Sequence, residues 1–189
     1  MTKESLQGQL LLAMPGLTDS MFKQSICLIC EHSLEQGAFG IVLNRPHDIS
    51  LNQLLNQLNI DHDKNTLPAM PIFNGGPVRN EQGFILHDSA LYPEDGIDVI
   101  DGIRLSHSTD ILRSIAHGEV PEHCLISLGY AGWGPEQLEA EIADNAWLTV
   151  PYDPQIVFST PAEKQWSSAG FHIGVDMNLL STAVGACLI

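Results

Sequence analysis

Positive charge is scarce in this sequence. Eight Lys and Arg residues face 23 Asp and Glu, a formal net charge of −15 with neutral histidines. A nucleic-acid backbone is held by Lys and Arg that displace its counterions. Here the basic residues are scattered from Lys3 to Lys164 without a cluster. Direct nucleic-acid binding is therefore not expected, nor is adhesion to an anionic membrane surface. The acidity serves solubility in the first instance; a basic protein partner is the sharper alternative.

Long apolar runs are missing too. Leu10 to Met14 is interrupted by Pro15-Gly16 and is too short for the core of a secretory signal. Nothing approaches the roughly 20 apolar residues of a membrane span. The expected location is the cytoplasm, where the four cysteines stay reduced. A chain of 189 residues buries roughly 70% of its unfolded surface. It needs no disulfide or metal staple, and one domain over residues 1–189 is expected.

Complete catalytic signatures are also lacking. There is no GxSxG elbow, no GxxxxGK[ST] phosphate loop and no GxGxxG fingerprint. Cys27-Leu28-Ile29-Cys30 has the CxxC spacing, but no second pair completes a tetrahedral site. On a strand, residues three apart point to opposite faces. These thiols, with Cys124 in a strand-like run and Cys187 near the end, read as structural. No metal and no cofactor is expected.

What is present is a mixture of short strands and helices. Ser25 to Glu31, Phe39 to Asn44, Pro71 to Asn74, Gly83 to His87, Ile97 to Leu105, Cys124 to Tyr130 and Ile156 to Ser159 read as strands between Gly, Pro and Asn punctuation. Ser50-Leu51-Asn52-Gln53 fits a capping box, followed by a stripe of Leu51, Leu54, Leu55 and Leu58. Further helices are expected over Thr109 to His117, closed by Gly118, over Pro135 to Asp144, and over Ala162 to Phe171. His62 to Leu67 and Leu91 to Asp98 read as loops. Strands close in sequence favour antiparallel pairing, so the fold class is α+β.

Several places carry polar groups that are candidates for a site. Glu31-His32 and Asn44-Arg45 end successive strands; if the turn between them is tight, position 31 faces about position 42. Together they would orient an anionic or carbonyl ligand, with Arg45 as the clamp. Asn74-Gly75-Gly76-Pro77 is a turn whose amides can form an anion nest. His87-Asp88-Ser89 and Ser106-His107-Ser108 invite a serine-hydrolase reading, although Ser108 also fits as the cap of the following helix. Gly129 to Ile142 reads as a strand end, a glycine-rich aromatic turn and an acidic helix. There Gln137 and Glu141 share a face beside Trp133, either flooring a pocket or packing the turn.

Several of these segments resemble a known family. Gly8-Gln9-Leu10-Leu11-Leu12-Ala13-Met14-Pro15, Gly37-Ala38-Phe39-Gly40-Ile41-Val42-Leu43-Asn44-Arg45-Pro46, Gly75-Gly76-Pro77-Val78 and Phe84-Ile85-Leu86-His87 carry the likeness. Leu128-Gly129-Tyr130-Ala131-Gly132-Trp133, Gln137-Leu138-Glu139 and Asn145-Ala146-Trp147-Leu148 continue it. The chain is similar to the YqgE/AlgH family of uncharacterised bacterial proteins over nearly its whole length. The resemblance implies a bent, mostly antiparallel sheet partly closed into a small barrel and flanked by helices. It implies at most a regulatory role and supplies no catalytic residues.

The expected function is that of an accessory or regulatory protein binding a small molecule or a protein partner, as a monomer or weak oligomer. Its candidate ligand-binding residues are His32, Asn44, Arg45, Gly75, Gly76, His87, Trp133, Gln137 and Glu141. A hydrolase using Glu141 or a histidine as base is the alternative. A transcriptional regulator comes third, because of the acidic charge.

Overall fold

The structure is a computed structural model that describes residues 5–90 and 96–180. The first part of the loop expected at Leu91 to Asp98, and Cys187, lie outside the described residues. In chain order the elements are β1 (Leu10–Ala13), β2 (Ile26–Ser33), β3 (Gly37–Val42), α1 (Leu51–Gln57), β4 (Ile72–Asn74), β5 (Val78–Asp88), β6 (Ile97–Ile100) and β7 (Ile103–Ser106). They continue with α2 (Thr109–Ala116), β8 (Cys124–Trp133), α3 (Gln137–Ala143), β9 (Trp147–Val150), a π-helical turn (Gln155–Ser159) and α4 (Ala162–His172). The class is α+β, as expected.

The strands form one sheet in the order β6-β7-β5-β8-β3-β2-β1-β9. Every neighbouring pair on that path is antiparallel, while β4 runs parallel alongside β8. The sheet turns its corner along β8. The first half of that strand lies between β5 and β4; its last residues, Ala131 to Trp133, pair with β3. Gly129 marks the corner with φ +73°, and a Cβ there would lie 2.5 Å from Gly76 O. Gly76 in turn passes so close to Tyr130 that its own Cβ would sit 2.1 Å from the Tyr130 carbonyl carbon. Only glycine fits such an approach.

The bend is strong but the sheet is not closed. The Gln7 side-chain amide donates to Asp98 O at 2.7 Å, which brings β6 against the entry to β1. Yet among the described residues β6 and β9 end the path without pairing to each other, so the expected barrel is an open, curled sheet.

Both faces of the curl are covered. Leu10, Leu12, Leu28, Ile41 and Leu86 point inward against Trp166 of α4. Outside, α1 and α2 bury Leu55, Ile111 and Ile115 on Ile72, Ile85 and Ile126. The rest of the outer face, with Leu11, Cys27, Ile29 and Val42, lies under Trp133, Leu138 and Trp147. The capping box at Ser50 and Gln53 forms as expected, and Ser108 caps α2.

Three expectations need correction. Ile97 to Leu105 is not one strand but a hairpin, turned at Asp101-Gly102 between β6 and β7. Ile156 to Ser159 belongs to the π-helical turn rather than to a strand. The third helix starts two residues late, at Gln137, because Glu136 takes the left-handed conformation at φ 59°.

Candidate functional site

The aromatic turn and the acidic helix form a knot of hydrogen bonds. Trp133 Nε1 donates to Glu141 Oε2 at 2.9 Å and Trp147 Nε1 donates to the same oxygen at 2.8 Å. Gln137 Nε2 donates to Glu141 Oε1 at 2.8 Å, while Gln137 Oε1 accepts from Gly134 N–H at 2.9 Å. The i, i+4 spacing expected for Gln137 and Glu141 is real, but the two side chains face each other and the indoles. Nearby, His32 Nδ1 accepts from the Leu6 N–H at 3.0 Å. Its Nε2 therefore carries the hydrogen and donates to Glu139 Oε1 at 2.8 Å.

Asn44 and Arg45 sit at the other end of the β2–β3 hairpin. Glu31 faces Phe39 rather than position 42, because the turn is tight enough to pair Ser33 with Gly37; Cys30 is an extra residue one step further along. The Asn44 amide accepts from Ile26 N–H and donates to Gln24 O. The Arg45 guanidinium donates to Met21 O and Lys23 O. Both residues thus fasten the loop before β2 and stand apart from His32. Gly75 donates its N–H to Leu128 O at 2.7 Å, and Asn74 N–H goes to Arg45 O. Those amides are part of the sheet and do not form an anion nest.

His87 is completely buried. Its Nδ1 lies 2.9 Å from Asp88 O, which only accepts, so Nδ1 carries the hydrogen and Nε2 accepts from the Ser106 hydroxyl at 2.8 Å. The nine candidates therefore occupy separate places: the tryptophan knot, its His32 flank, the Asn44–Arg45 loop clasp, the Gly75–Gly76 bend and the His87–Ser106 pair.

Burial disfavours the thiolate at each of the three described cysteines. Burial pushes Cys27 up to about 12 and also raises Cys30, while the two face opposite sides of the sheet. Burial pushes Cys124 up to about 12, with the charge of Asp88 adding to it. Among the described residues no group of three or more His, Cys, Asp or Glu could hold a metal, and no helix is long and apolar enough to cross a membrane.

One hollow lies elsewhere, between the π-helical turn and the sheet, with a volume of about 370 Å³. Pro46, Met70, Pro71 and Phe73 form one wall, Val157 and Phe158 the other. Thr160, Ala162, Glu163 and Gln165 complete the lining where α4 begins. Gln165 is 2% exposed. Its Nε2 donates to Ile156 O at 3.0 Å and Val157 O at 3.1 Å, holding the wide turn together. Its Oε1 is buried and has no partner. Buried polar atoms are nearly always paired, and π-helical turns often mark functional places.

A family model described as AlgH-like (DUF179) matches residues 10–178. The chain belongs to the AlgH-like family. A UPF0301 protein of Thioalkalivibrio sulfidiphilus is 46% identical over 178 residues, covering 94% of this chain and 95% of the relative. One from Stenotrophomonas maltophilia is 43% identical, with 97% of each chain covered. The solution structure of the AlgH protein from Pseudomonas aeruginosa matches with a TM-score of 0.78 at 43% identity, covering 96% of this chain and 97% of that one. A crystal structure from Corynebacterium diphtheriae, 20% identical, matches with a TM-score of 0.75 over 96% of this AlgH-like chain and 94% of its own, and shares the fold.

Sequence reasoning placed Phe158, Ala162 and Gln165 in secondary structure but named none of them as a candidate. The visible signal was Ser159-Thr160-Pro161, a break just ahead of a helix whose N-cap has no side-chain oxygen.

Proposed function

We propose that this AlgH-like chain is an accessory protein that binds a small molecule, and that the binding place is the hollow at the start of α4. The observation that carries this reading is a hollow of about 370 Å³ walled mostly by apolar groups, Phe73, Val157 and Phe158 among them, beside the π-helical turn that Gln165 holds together. Ligand sites are mostly apolar with a few placed polar groups. The groups that would serve catalysis point the same way: Glu141 accepts three hydrogen bonds, both ring nitrogens of His32 are engaged, and burial opposes thiolate formation. The acidic charge disfavours direct contact with DNA, so a regulatory role would act through the ligand or a protein partner, in the cytoplasm.

The test is a titration with benzyl alcohol, followed through backbone amide signals. Shifts confined to Val157–Gln165, and lost in a folded Ala162→Phe variant, are expected. Shifts that persist when Ala162→Phe fills the hollow, or that fall elsewhere, would overturn the assignment.

A second reading has its own observation. His87 Nε2 accepts from Ser106, and His87 Nδ1 is oriented by a carbonyl, the nucleophile–base–orienter order of a hydrolase. Ser106 borders a cleft of about 320 Å³ with Phe39, Phe84 and Ile97. Against it stands burial, since Ser106 is 1% exposed. A fluorophosphonate adduct on Ser106, absent in Ser106→Ala, would favour hydrolysis; an unlabelled protein would count against it.

A further inference from the structure

We propose that His32 is a proton-operated latch. As the neutral ring it fastens Ser5–Gln7 across the seam between β2 and β6; on taking up a second ring hydrogen it releases them. Among the described residues this strap is tied to the rest of the chain at three points. Leu6 N–H donates to His32 Nδ1 at 3.0 Å, the Ser5 hydroxyl donates to His32 O at 3.3 Å, and Gln7 Nε2 donates to Asp98 O at 2.7 Å. Two of the ties are thus on His32 and the third is on β6. From Gly8 onward the chain is bound differently: Gly8 N–H donates to Ile29 O, and Ile29 N–H donates to Gln9 O. The latch can therefore open without unzipping β1 from β2.

The ring holds the strap only while it is neutral. Leu6 N–H binds the Nδ1 lone pair, and the single ring hydrogen sits on Nε2, 2.8 Å from Glu139 Oε1. An imidazolium carries a hydrogen on both nitrogens and accepts at neither. A proton at Nδ1 would point at the Leu6 hydrogen, and two donors cannot share a 3.0 Å contact. The other side of the ring is indifferent, because Glu139 accepts from Nε2–H in both states. The His32 side chain is only 4% exposed and stays on α3, so the strap gives way. Histidine is the side chain that ordinarily changes charge between pH 5 and 8. Around this one, α3 brings Glu139 and β2 brings Glu31, which lines the same hollow of about 290 Å³. β3 brings Ala38 opposite His32, the strap itself is uncharged, and no Lys, Arg or second His is among the described residues lining that hollow.

What opens is one end of the curled sheet. Gln7 and Phe39 line the hollow beside His32, and Phe39 and Glu31 also border the cleft of about 320 Å³ next to Ile97 of β6. Leu6 packs on the apolar cluster that holds Trp133 and Leu138. Release removes Gln7 from the wall of the first hollow, loosens its tie to β6 and bares the apolar surface under Leu6.

The experiment follows the full chain from about pH 7.5 down to about 5.5. Nitrogen–proton spectra read the His32 ring, and amide exchange with water, corrected for its own dependence on pH, reads the strap. The Leu6 amide is expected to lose about tenfold or more of its protection in step with protonation of the His32 ring. Gly8 and Ile29 amides are expected to keep theirs. His32→Asn offers an amide oxygen in place of Nδ1 and takes up no proton, so its Leu6 amide should stay protected throughout. His123→Asn, which removes a histidine paired with Asp88 outside the strap, should leave the Leu6 response in place. Should His32→Asn unfold, the match between the ring and Leu6 midpoints in the unaltered chain still decides the matter. Four results overturn the proposal: Leu6 protection unchanged once the ring carries both hydrogens, a loss at Leu6 that persists in folded His32→Asn, equal losses at Gly8 and Ile29, or a ring that stays singly protonated until the chain unfolds.

Discussion

The indole nitrogens of Trp133 and Trp147 converge on a single oxygen, Glu141 Oε2, with their rings 5.9 Å apart and at 78° to each other. One comes from the end of β8, the other from the start of β9, and the carboxylate comes from the helix between them. The three elements are thereby locked by one side chain. Glu141→Leu would strand two largely buried N–H donors, at a cost of about 2–4 kcal/mol in urea unfolding. Glu141→Gln keeps an acceptor oxygen and should cost less. Equal losses for the two variants would mean that the side chain acts by packing alone.

The His32 ring offers a spectroscopic check. Because Leu6 N–H donates to Nδ1, the hydrogen belongs on Nε2, facing Glu139. Long-range nitrogen–proton correlation spectra at neutral pH should show the Nε2–H tautomer. Asp is too short to reach the ring as Glu139 does, so Glu139→Asp should loosen the residues around Leu6. Fast hydrogen exchange at the Leu6 amide in the unaltered protein would contradict this arrangement.

Thiol reactivity should follow burial. Cys27 and Cys30 are fully buried, and neither is expected to react with iodoacetamide below the unfolding transition. The sign of the pH effect is definite. A thiol held up at about 12 when folded, against about 9 when unfolded, stays neutral longer in the native state. Its contribution is complete below about pH 9 and is lost as pH rises from there toward about 12. Stability measured by urea should therefore fall across that range, and Cys124→Ala should flatten the fall.

The corner of the sheet makes the harshest test of the backbone. Gly76→Ala would drive a Cβ to 2.1 Å from the Tyr130 carbonyl carbon, and nothing but main chain lies there to yield. Loss of a cooperative transition, or a cost of several kcal/mol, is expected. Gly102→Ala serves as a control: its φ of +83° is strained, but a Cβ there meets nothing within 4 Å.

Much of the fold was legible because local chemistry agreed with tertiary placement. Ser50, Gln53 and Ser108 cap helices as their types suggest, and the strand runs around Ile29, Ile41 and Ile85 are strands. β1 was hidden because Leu10 to Ala13 is buried on both faces, which erases the alternation by which a half-exposed strand is recognised. The run Ile156 to Ser159 resembles a strand because its composition does; the π-helical turn is held by Gln165, nine residues or fewer away in sequence but set by the packing of α4. The candidate site was less legible. Polar residue types are visible in a sequence, but whether a polar group already has its partner is not. Gln137 and Glu141 turned out to satisfy each other, and Gln165, an unremarkable helix residue in the sequence, retains an unmet acceptor.

The corner at Gly129 also sets a timetable for synthesis. β8 borders β3, β4 and β5, so the two halves of the sheet have no seam until residues 124–133 have left the ribosome. β1, made first, waits longer still for its second neighbour, β9, at residues 147–150. A nascent chain halted before β8 is made exposes the edges of β1 and β3 together. Such edges recruit other strands, so stalled translation of this chain should yield aggregates rather than a folded fragment.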